Sequence, residues 1–497
     1  MFYTSTRDRS IKVSSSEAIA HGISSEGGLF VPEEIPQISL DDIKRIAGLD
    51  YIGRAKEILS LYLTDFTADE IDSCVNGAYG GGKFSSEKIS PLYKLENGTD
   101  ILELWKGPTC AFKDMALQLL PHLLTVASSK SAPDKQIVIL VATSGDTGKA
   151  ALEGFKDVKN TKILVFYPND GVSPMQKLQM TTQEGNNVGV CAIEGNFDDA
   201  QSGVKKIFTD KEVAKKLDAN GMMFSSANSI NWGRLVPQIV YYVSAYCDMV
   251  TSGELQLGEK MNIVVPTGNF GNILAAYYAK EMGVPVNKLI CASNANNVLT
   301  DFLKTGTYNR KRDFYTTISP SMDILISSNL ERLLFLLSGM DDALTADWMA
   351  QLSNDGCYKV NDDVFAKLSA MFEAGCCDDD GTKACIAKTY EDYKYLCDTH
   401  TAVAVSVYNN YKAETGDGTP TVIASTANPF KFSKAVLDAV RPGMSEGMDE
   451  FDMVLGLHVE TGEDCPPQLA NLKDKTPRFT GCCKKEDMEQ IVFDMLK

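Results

Sequence analysis

The feature that most restricts the fold of this 497-residue chain is a phrase repeated along it: a short apolar run, a turn rich in Gly, Ser and Asn, then an amphipathic helix. QIVILVATSGDTGKAALEGF (136–155), NVGVCAIEGNFDDAQSGVKKIF (187–208), MNIVVPTGNFGNILAAYYAKEMG (261–283), KLICASNANNVLTDFL (288–303) and TVIASTANPFKFSKAVLDAV (421–440) are instances. KILVFYP (162–168) supplies a further strand. Runs of Val and Ile without polar alternation fit strands covered on both faces, and the intervening helices provide the crossovers that parallel strands need. The chain is therefore expected to be α/β, with mostly parallel sheets flanked by helices. Its length implies two or three packed units.

Two stretches depart from this pattern. The first hundred residues are mostly helical in pattern, as in SLDDIKRIAGLDYIGRAKEILSLYL (39–63), with a Gly-rich break at GAYGGGKF (77–84). They suit a cover segment or small extra domain. Residues 340–400 are helix-rich and acidic, and DDDG (378–381) reads as a solvated loop.

Charge and cysteine usage exclude several classes of function. A net charge of −18 repels nucleic acid and anionic membrane, although a local cluster of donors can still bind an anion inside a cleft. MFYTSTRDRSIKVSSSEA lacks a signal-peptide core, and no apolar run approaches the roughly 18–20 residues that cross a bilayer. A soluble, cytoplasmic protein is expected. The thirteen cysteines form no CxxC, and His21, His122, His400 and His458 lie far apart, so neither a zinc site nor any other metal site is expected. Thiols in a reducing compartment are the better account.

In open α/β sheets, ligands bind where strands end and helices begin. Four turns sit at such junctions: TSGDTG, PTGNFGN, SNAN and STAN. In PTGNFGN (266–272), Gly268 and Gly271 permit close approach of backbone to an anion, and the following helix start donates amides; a tight turn that binds nothing reads the same way. TSGDTGKAA imitates a Walker loop but has Thr143 and Ala150 where that motif needs Gly and Ser or Thr; it suits a carboxylate site or simple helix capping. SANSINWGR places Asn228, Ser229, Asn231 and Arg234 ahead of an apolar helix, the donor set for a phosphate or carboxylate, or a capping network. Taken alone, STANPFKF and DTHTAVA read as caps. Lys113, in GPTCAFKDMALQLL, is either a surface charge or the amine of a Schiff base.

Set in order, these motifs resemble the threonine synthase family, in its long microbial and fungal branch. The likeness covers nearly the whole chain: YTSTRD (3–8), GISSEGGLFVPEEIP (22–36), GPTCAFKDMALQ, ATSGDTGKAA, EGNFDDAQ, SANSINWGR, PTGNFGNILA, DTHTA and STANPFKF. It implies the tryptophan-synthase-β-like fold of pyridoxal-phosphate enzymes: two open, mostly parallel sheets flanked by helices, with a helical N-terminal segment. The implied division is an N-terminal segment 1–95, a smaller lobe 96–260 with the cofactor lysine and substrate-carboxylate loop, and a larger lobe 261–497 with the cofactor-phosphate loop.

The resemblance also implies roles. Lys113 matches the lysine that holds pyridoxal 5'-phosphate as a Schiff base, and burial beside Phe112 is expected to lower its pKa. Gly268, Asn269, Phe270, Gly271 and Asn272 match the loop at the cofactor phosphate, and Thr426 the hydroxyl at the pyridine nitrogen. Ser144, Gly145, Asp146 and Thr147 match the loop at the substrate carboxylate. Asn228, Ser229 and Arg234 match residues facing the substrate phosphate. The implied reaction is O-phospho-L-homoserine plus water to L-threonine plus phosphate, the last step of threonine biosynthesis; a pyridoxal-phosphate-dependent phospho-lyase, or a related β/γ-eliminating enzyme on another phosphorylated or hydroxy amino acid, is the alternative. Asn428, Phe430 and Thr399 depart from residues common in the family, and His400 and Thr401 are candidates for the pocket wall. Nothing resembles an effector domain, so an unregulated monomer is expected.

Overall fold

The computed structural model describes residues 1–496 apart from 97, 144 and 171. Two sheets carry the repeated phrases. One has five parallel strands in the order Cys482–Lys484, Val188–Glu194, Thr161–Pro168, Gln136–Ala142 and Met222–Ser225. The other has six, in the order Phe372–Cys376, Val286–Ser293, Met261–Pro266, Thr421–Ser425, Thr99–Glu103 and Leu92–Glu96. All pair in parallel except the last, an antiparallel edge. The unbroken apolar runs follow from coverage on both faces: Ile137, Ile139 and Val141 enter one core, while Val138 and Leu140 enter another. The α/β architecture of two open, mostly parallel sheets is as expected.

The sheets do not follow three consecutive segments. Thr99–Glu103, near the start of the 96–260 segment, pairs with Thr421–Ser425 in the six-stranded sheet. Cys482–Lys484, from the 261–497 segment, pairs with Val188–Glu194 in the five-stranded sheet. The helix Met488–Leu496 follows it there, burying Met488 and Val492 with Val138 and Leu164. A strand joins the sheet that buries both its faces, wherever it falls in the chain.

The amino-terminal region is less helical than its pattern suggests. Tyr3–Ser5, Asp8–Val13 and Phe30–Pro32 form an antiparallel sheet. The pattern over 39–63 is two helices, Leu40–Ala47 and Tyr51–Tyr62, and Asp50 starts the second by accepting from Gly53 N at 2.7 Å. DDDG is likewise a helix start: Asp378 accepts from Gly381 N at 2.8 Å and opens Asp379–Tyr393.

The helix Trp232–Ser252, buried over most of its length, is the spine against which this region docks. The Trp232 ring lies 5.3, 5.6 and 5.4 Å from those of Tyr3, Tyr62 and Tyr278. Such pairs contribute about 0.5–1.5 kcal/mol each beyond their buried area. Arg54 adds bonds to Asp248 at 2.6 Å and Ser244 Oγ at 2.7 Å. The amino-terminal region is thus part of the core and not a loose cover. Among the described residues, no helix is long and apolar enough to cross a membrane.

Candidate active site

The loop 107–113 is zipped to the residues that follow the strand Thr421–Ser425. Phe112 N donates to Thr426 O at 2.8 Å, Asn428 N donates to Cys110 O at 3.0 Å, and Ala111 bridges Ala427. Asp114 closes the loop by accepting from Thr109 N and Oγ1, each at 2.8 Å. Burial nonetheless raises its carboxyl to about 7. These bonds place Lys113 at the first turn of the helix Asp114–Leu117, with Thr426 alongside.

Lys113 is half-buried, its Nζ 3.3 Å from Ser321 Oγ and 5.1 Å from the Phe112 ring centre. Burial pushes its amine down to about 8 against the pull of Asp146, and Arg234 and Lys431 add to the push. The Phe112 ring was expected to help; its π face steadies the ammonium, so the lowering rests on burial and the two cations. At pH 7 such an amine is about one-tenth unprotonated, against about one part in three thousand at its ordinary value.

The turn TSGDTG is held from within. Gly145 has φ +151°, and a Cβ there would fall 2.5 Å from the Gln176 side chain, so glycine is required. Thr143 Oγ1 accepts from Gly145 N and Gly148 N, both at 3.0 Å, and so starts the helix Asp146–Phe155. The Asp146 carboxylate is committed to Lys431 Nζ at 2.7 Å and Gln176 Nε2 at 2.9 Å, and this lysine holds it ionised well below the usual carboxylate range despite burial. Its side chain and the Gly145 amide are therefore engaged, which leaves the backbone amides of Asp146 and Thr147 at the helix start. Ser144 lies outside the described residues.

In PTGNFGN one glycine admits a close backbone neighbour and the phenylalanine takes the left-handed turn. A Cβ on Gly268 would lie 2.6 Å from Ser321 O, so this glycine admits a neighbouring backbone. Phe270 takes the left-handed conformation, φ +64°, at the mouth of the helix Gly271–Glu281. Asn329 Nδ2 donates to Asn269 O at 3.0 Å and fixes the turn. Asn272 accepts from the hydroxyls of Tyr241 and Tyr242, and its buried Nδ2 has no hydrogen-bond partner among the described residues. The first amides of the helix have no intrahelical acceptor.

SANSINWGR brings Arg234 into the same place but divides its neighbours. Asn231 is structural, donating to Ile19 O at 3.0 Å and Ser226 O at 2.8 Å. Asn228 is exposed and Ser229 half-buried at the rim. Arg234 is buried, donates from Nη1 to Ala227 O at 2.8 Å, and has no acidic partner among the described residues. Burial lowers it to about 10. A buried guanidinium without a counter-ion is costly unless an anion joins it.

Sequence reasoning missed Ser321. Its N donates to His400 Nε2 at 3.1 Å, and His400 Nδ1 meets Asp398 Oδ1 at 2.8 Å. The nitrogen that accepts from Ser321 is thus unprotonated, and His400 acts through Ser321 and is not simply part of a pocket wall. SNAN serves the same segment: Asn294 Nδ2 donates to Thr317 Oγ1 at 2.9 Å and Asp323 Oδ1 at 2.7 Å. Thr401 donates to Ser425 Oγ at 3.0 Å, and Asn428 accepts from Phe430 N at 3.0 Å as a cap. Nothing in the sequence singles out the serine of ISPSMD.

Here stand an amine depressed by burial, a helix start with open amides and a guanidinium with no acidic partner among the described residues, a set of groups that suits anionic and carbonyl ligands. Comparison with known proteins agrees. The family model described as "Pyridoxal-phosphate dependent enzyme" matches residues 89–427, flanked by "Threonine synthase N terminus" over 2–79 and "Threonine synthase, C-terminal" over 401–492. The chain belongs to the threonine synthase family of pyridoxal-phosphate-dependent enzymes. It is 38% identical over 463 residues to the threonine synthase of Schizosaccharomyces pombe, covering 87% of this chain and 88% of that one. It is 42% identical to human threonine synthase-like 1 over 436 residues, covering 86% of this chain but only 58% of that relative, so it spans little more than half of that protein's length. The crystal structure of pyridoxal-phosphate-bound threonine synthase from Brucella melitensis superposes with a TM-score of 0.88 at 35% identity, covering 100% and 99% of the two chains.

Proposed function

We propose that this chain converts O-phospho-L-homoserine and water into L-threonine and phosphate, with pyridoxal phosphate held at Lys113. The observation that carries this reading is the juxtaposition of two groups: an amine lowered to about 8, suited to an aldehyde, and the buried Arg234, suited to a substrate phosphate. The residues also suit the cofactor. Its phosphate fits the amides of Gly268 to Asn272 together with Asn272 Nδ2, which is buried without a partner among the described residues. Its ring nitrogen fits the hydroxyl of Thr426.

When bound, the cofactor supplies a sink for the electron pairs left on the substrate's α- and β-carbons. Lys113 removes one proton from the α-carbon and one from the β-carbon as general base; two protons return, to the γ-carbon that loses phosphate and to the α-carbon, and water adds its hydroxyl at the β-carbon. Arg234, with Asn228 and Ser229 at the rim, orients the phosphate and steadies the charge that leaves with it. The amides of Asp146 and Thr147 hold the substrate carboxylate at a helix start. His400 fixes Ser321 beside the amine. The enzyme works as a cytoplasmic monomer without nucleic acid or membrane; thirteen free thiols suit a reducing compartment.

The test is to incubate the purified protein with pyridoxal phosphate and O-phospho-L-homoserine and quantify products by mass spectrometry. Threonine and phosphate in equal amounts are expected. A second reading, a phospho-lyase on the same substrate, is the alternative that the resemblance implies; the chain is 42% identical to a relative named threonine synthase-like 1 and 38% identical to the S. pombe threonine synthase. It predicts phosphate with 2-oxobutyrate, because water would not add. Absence of phosphate release refutes both.

A further inference from the structure

A second lysine stands beside the first, and the reaction outlined above gives it no part. Lys431, in STANPFKF, is fully buried; its ammonium donates to Asp146 Oδ1 at 2.7 Å and to Thr109 O at 2.9 Å. The three residues come from three places. Lys431 follows the strand Thr421–Ser425 of the six-stranded sheet, and Asp146 follows the strand Gln136–Ala142 of the five-stranded one. Thr109 belongs to the loop that carries Lys113, and its own N–H and hydroxyl hold Asp114 at the next turn.

Stability alone does not account for this arrangement. A buried ion pair is often no better than apolar residues of the same volume, because both charges must leave water. Gln176 already gives Asp146 a donor at 2.9 Å. Lys431 adds a positive charge and a bridge from one sheet to the other, both directed at the loop of Lys113.

We propose that Lys431 is a positioning residue of the active site: it holds Asp146 and the 107–113 loop in register across the two sheets, and it sets the electrostatic field in which Lys113 works. The charged groups that act on the Lys113 amine are Asp146 from the helix Asp146–Phe155, Arg234 from the spine helix, Lys431, and Asp114 from its own helix. Asp146 unpaired would hold a proton on Lys113. Paired with Lys431, it becomes the negative end of a buried dipole whose positive end opposes that pull. Glutamine at 431 would keep a donor and remove the charge, whereas arginine would keep the charge.

The inference rests on Lys113 being the cofactor lysine, but its test reads the amine itself. Full-length protein freed of carbonyl compounds is labelled with trace acetic anhydride across a pH series, and acetylation of the Lys113 peptide is quantified by mass spectrometry. The wild-type midpoint is expected near 8. Lys431→Gln should raise it by about one unit, leaving about tenfold less free amine at pH 7. The acid limb of kcat/KM should move with it, and Lys431→Arg should return both towards wild type. A folded Lys431→Gln protein with an unmoved midpoint overturns the proposal. If that variant does not fold, Asp146→Asn is compared with Asp146→Asn/Lys431→Gln: a higher midpoint in the double variant upholds the field and equal midpoints overturn it. Neither labelling outcome depends on turnover, so failure of the product assay is separable from failure here.

Discussion

Arg234 and Arg332 are both buried, and burial lowers both to about 10. They are close neighbours, since Arg332 donates to Ile230 O, just ahead of the helix that carries Arg234. Their surroundings differ. Arg332 donates from Nε to Phe30 O at 2.9 Å, from Nη1 to Asn329 Oδ1 at 2.5 Å and from Nη2 to Ile230 O at 2.5 Å. It ties the amino-terminal sheet to the loop beside the candidate phosphate turn. Arg234, which carries the same five N–H donors, engages one backbone carbonyl among the described residues. Burial alone therefore distinguishes neither scaffold from site. The number of donors already engaged does.

The largest effect is expected at Lys113, whose amine feels the charge of Arg234. Lys113→Ala should lower kcat by about 10³-fold or more, the scale of losing a general base, with an unchanged melting temperature. Retained turnover would remove the centre of the reading. Arg332→Met should lower the unfolding free energy by about 3–5 kcal/mol, because three buried acceptors lose their donor. Urea titration measures this, and KM of the folded fraction should be unchanged. Arg234→Met should do the reverse. KM rises by about 10- to 100-fold, equivalent to a charge-assisted bond of roughly 1.5–3 kcal/mol, while stability stays within about 1 kcal/mol. Inorganic phosphate should then protect the loaded wild type, but not this variant, against heat. Equal protection would assign the second anion site elsewhere.

The smallest effect is in the pH dependence of stability. The folded protein lowers the Lys113 amine from 10.5 to about 8. Below pH 8 both folded and unfolded chains hold the proton, so this group gives no slope. Between about 8 and 10.5 only the unfolded chain holds it, and wild-type stability rises with pH relative to Lys113→Met. Above 10.5 the difference is constant. Chemical unfolding of both proteins at pH 7 and pH 10 checks the sign.

Most of the scaffold was legible because strands covered on both faces leave unbroken runs of Val, Ile and Leu, as Ile137 to Val141 show. The amino-terminal sheet was not, because Tyr3–Ser5 and Phe30–Pro32 are three residues each, too short for alternation to register. Lys113 and Arg234 stood out as candidates in GPTCAFKDMALQLL and SANSINWGR, and their roles came from the resemblance. The commitment of Asp146 to Lys431 was invisible, since the two are joined only when the sheets meet. Ser321 was missed for the same reason: its neighbours Gly268, His400 and Lys113 come from distant parts of the chain. The glycines announced backbone constraint correctly but not its cause, which at Gly145 and Gly268 is the approach of Gln176 and Ser321.

The interlaced sheets also impose an order in time. The strand Val188–Glu194 has a partner on one side as soon as Thr161–Pro168 has been made, but its other neighbour is Cys482–Lys484. A nascent chain must therefore carry an unpaired strand edge until the ribosome has passed residue 484. During that interval the edge is open to any other extended segment, including one from a neighbouring chain on the same polysome. The last strand thus works as a clasp on the edge of the five-stranded sheet.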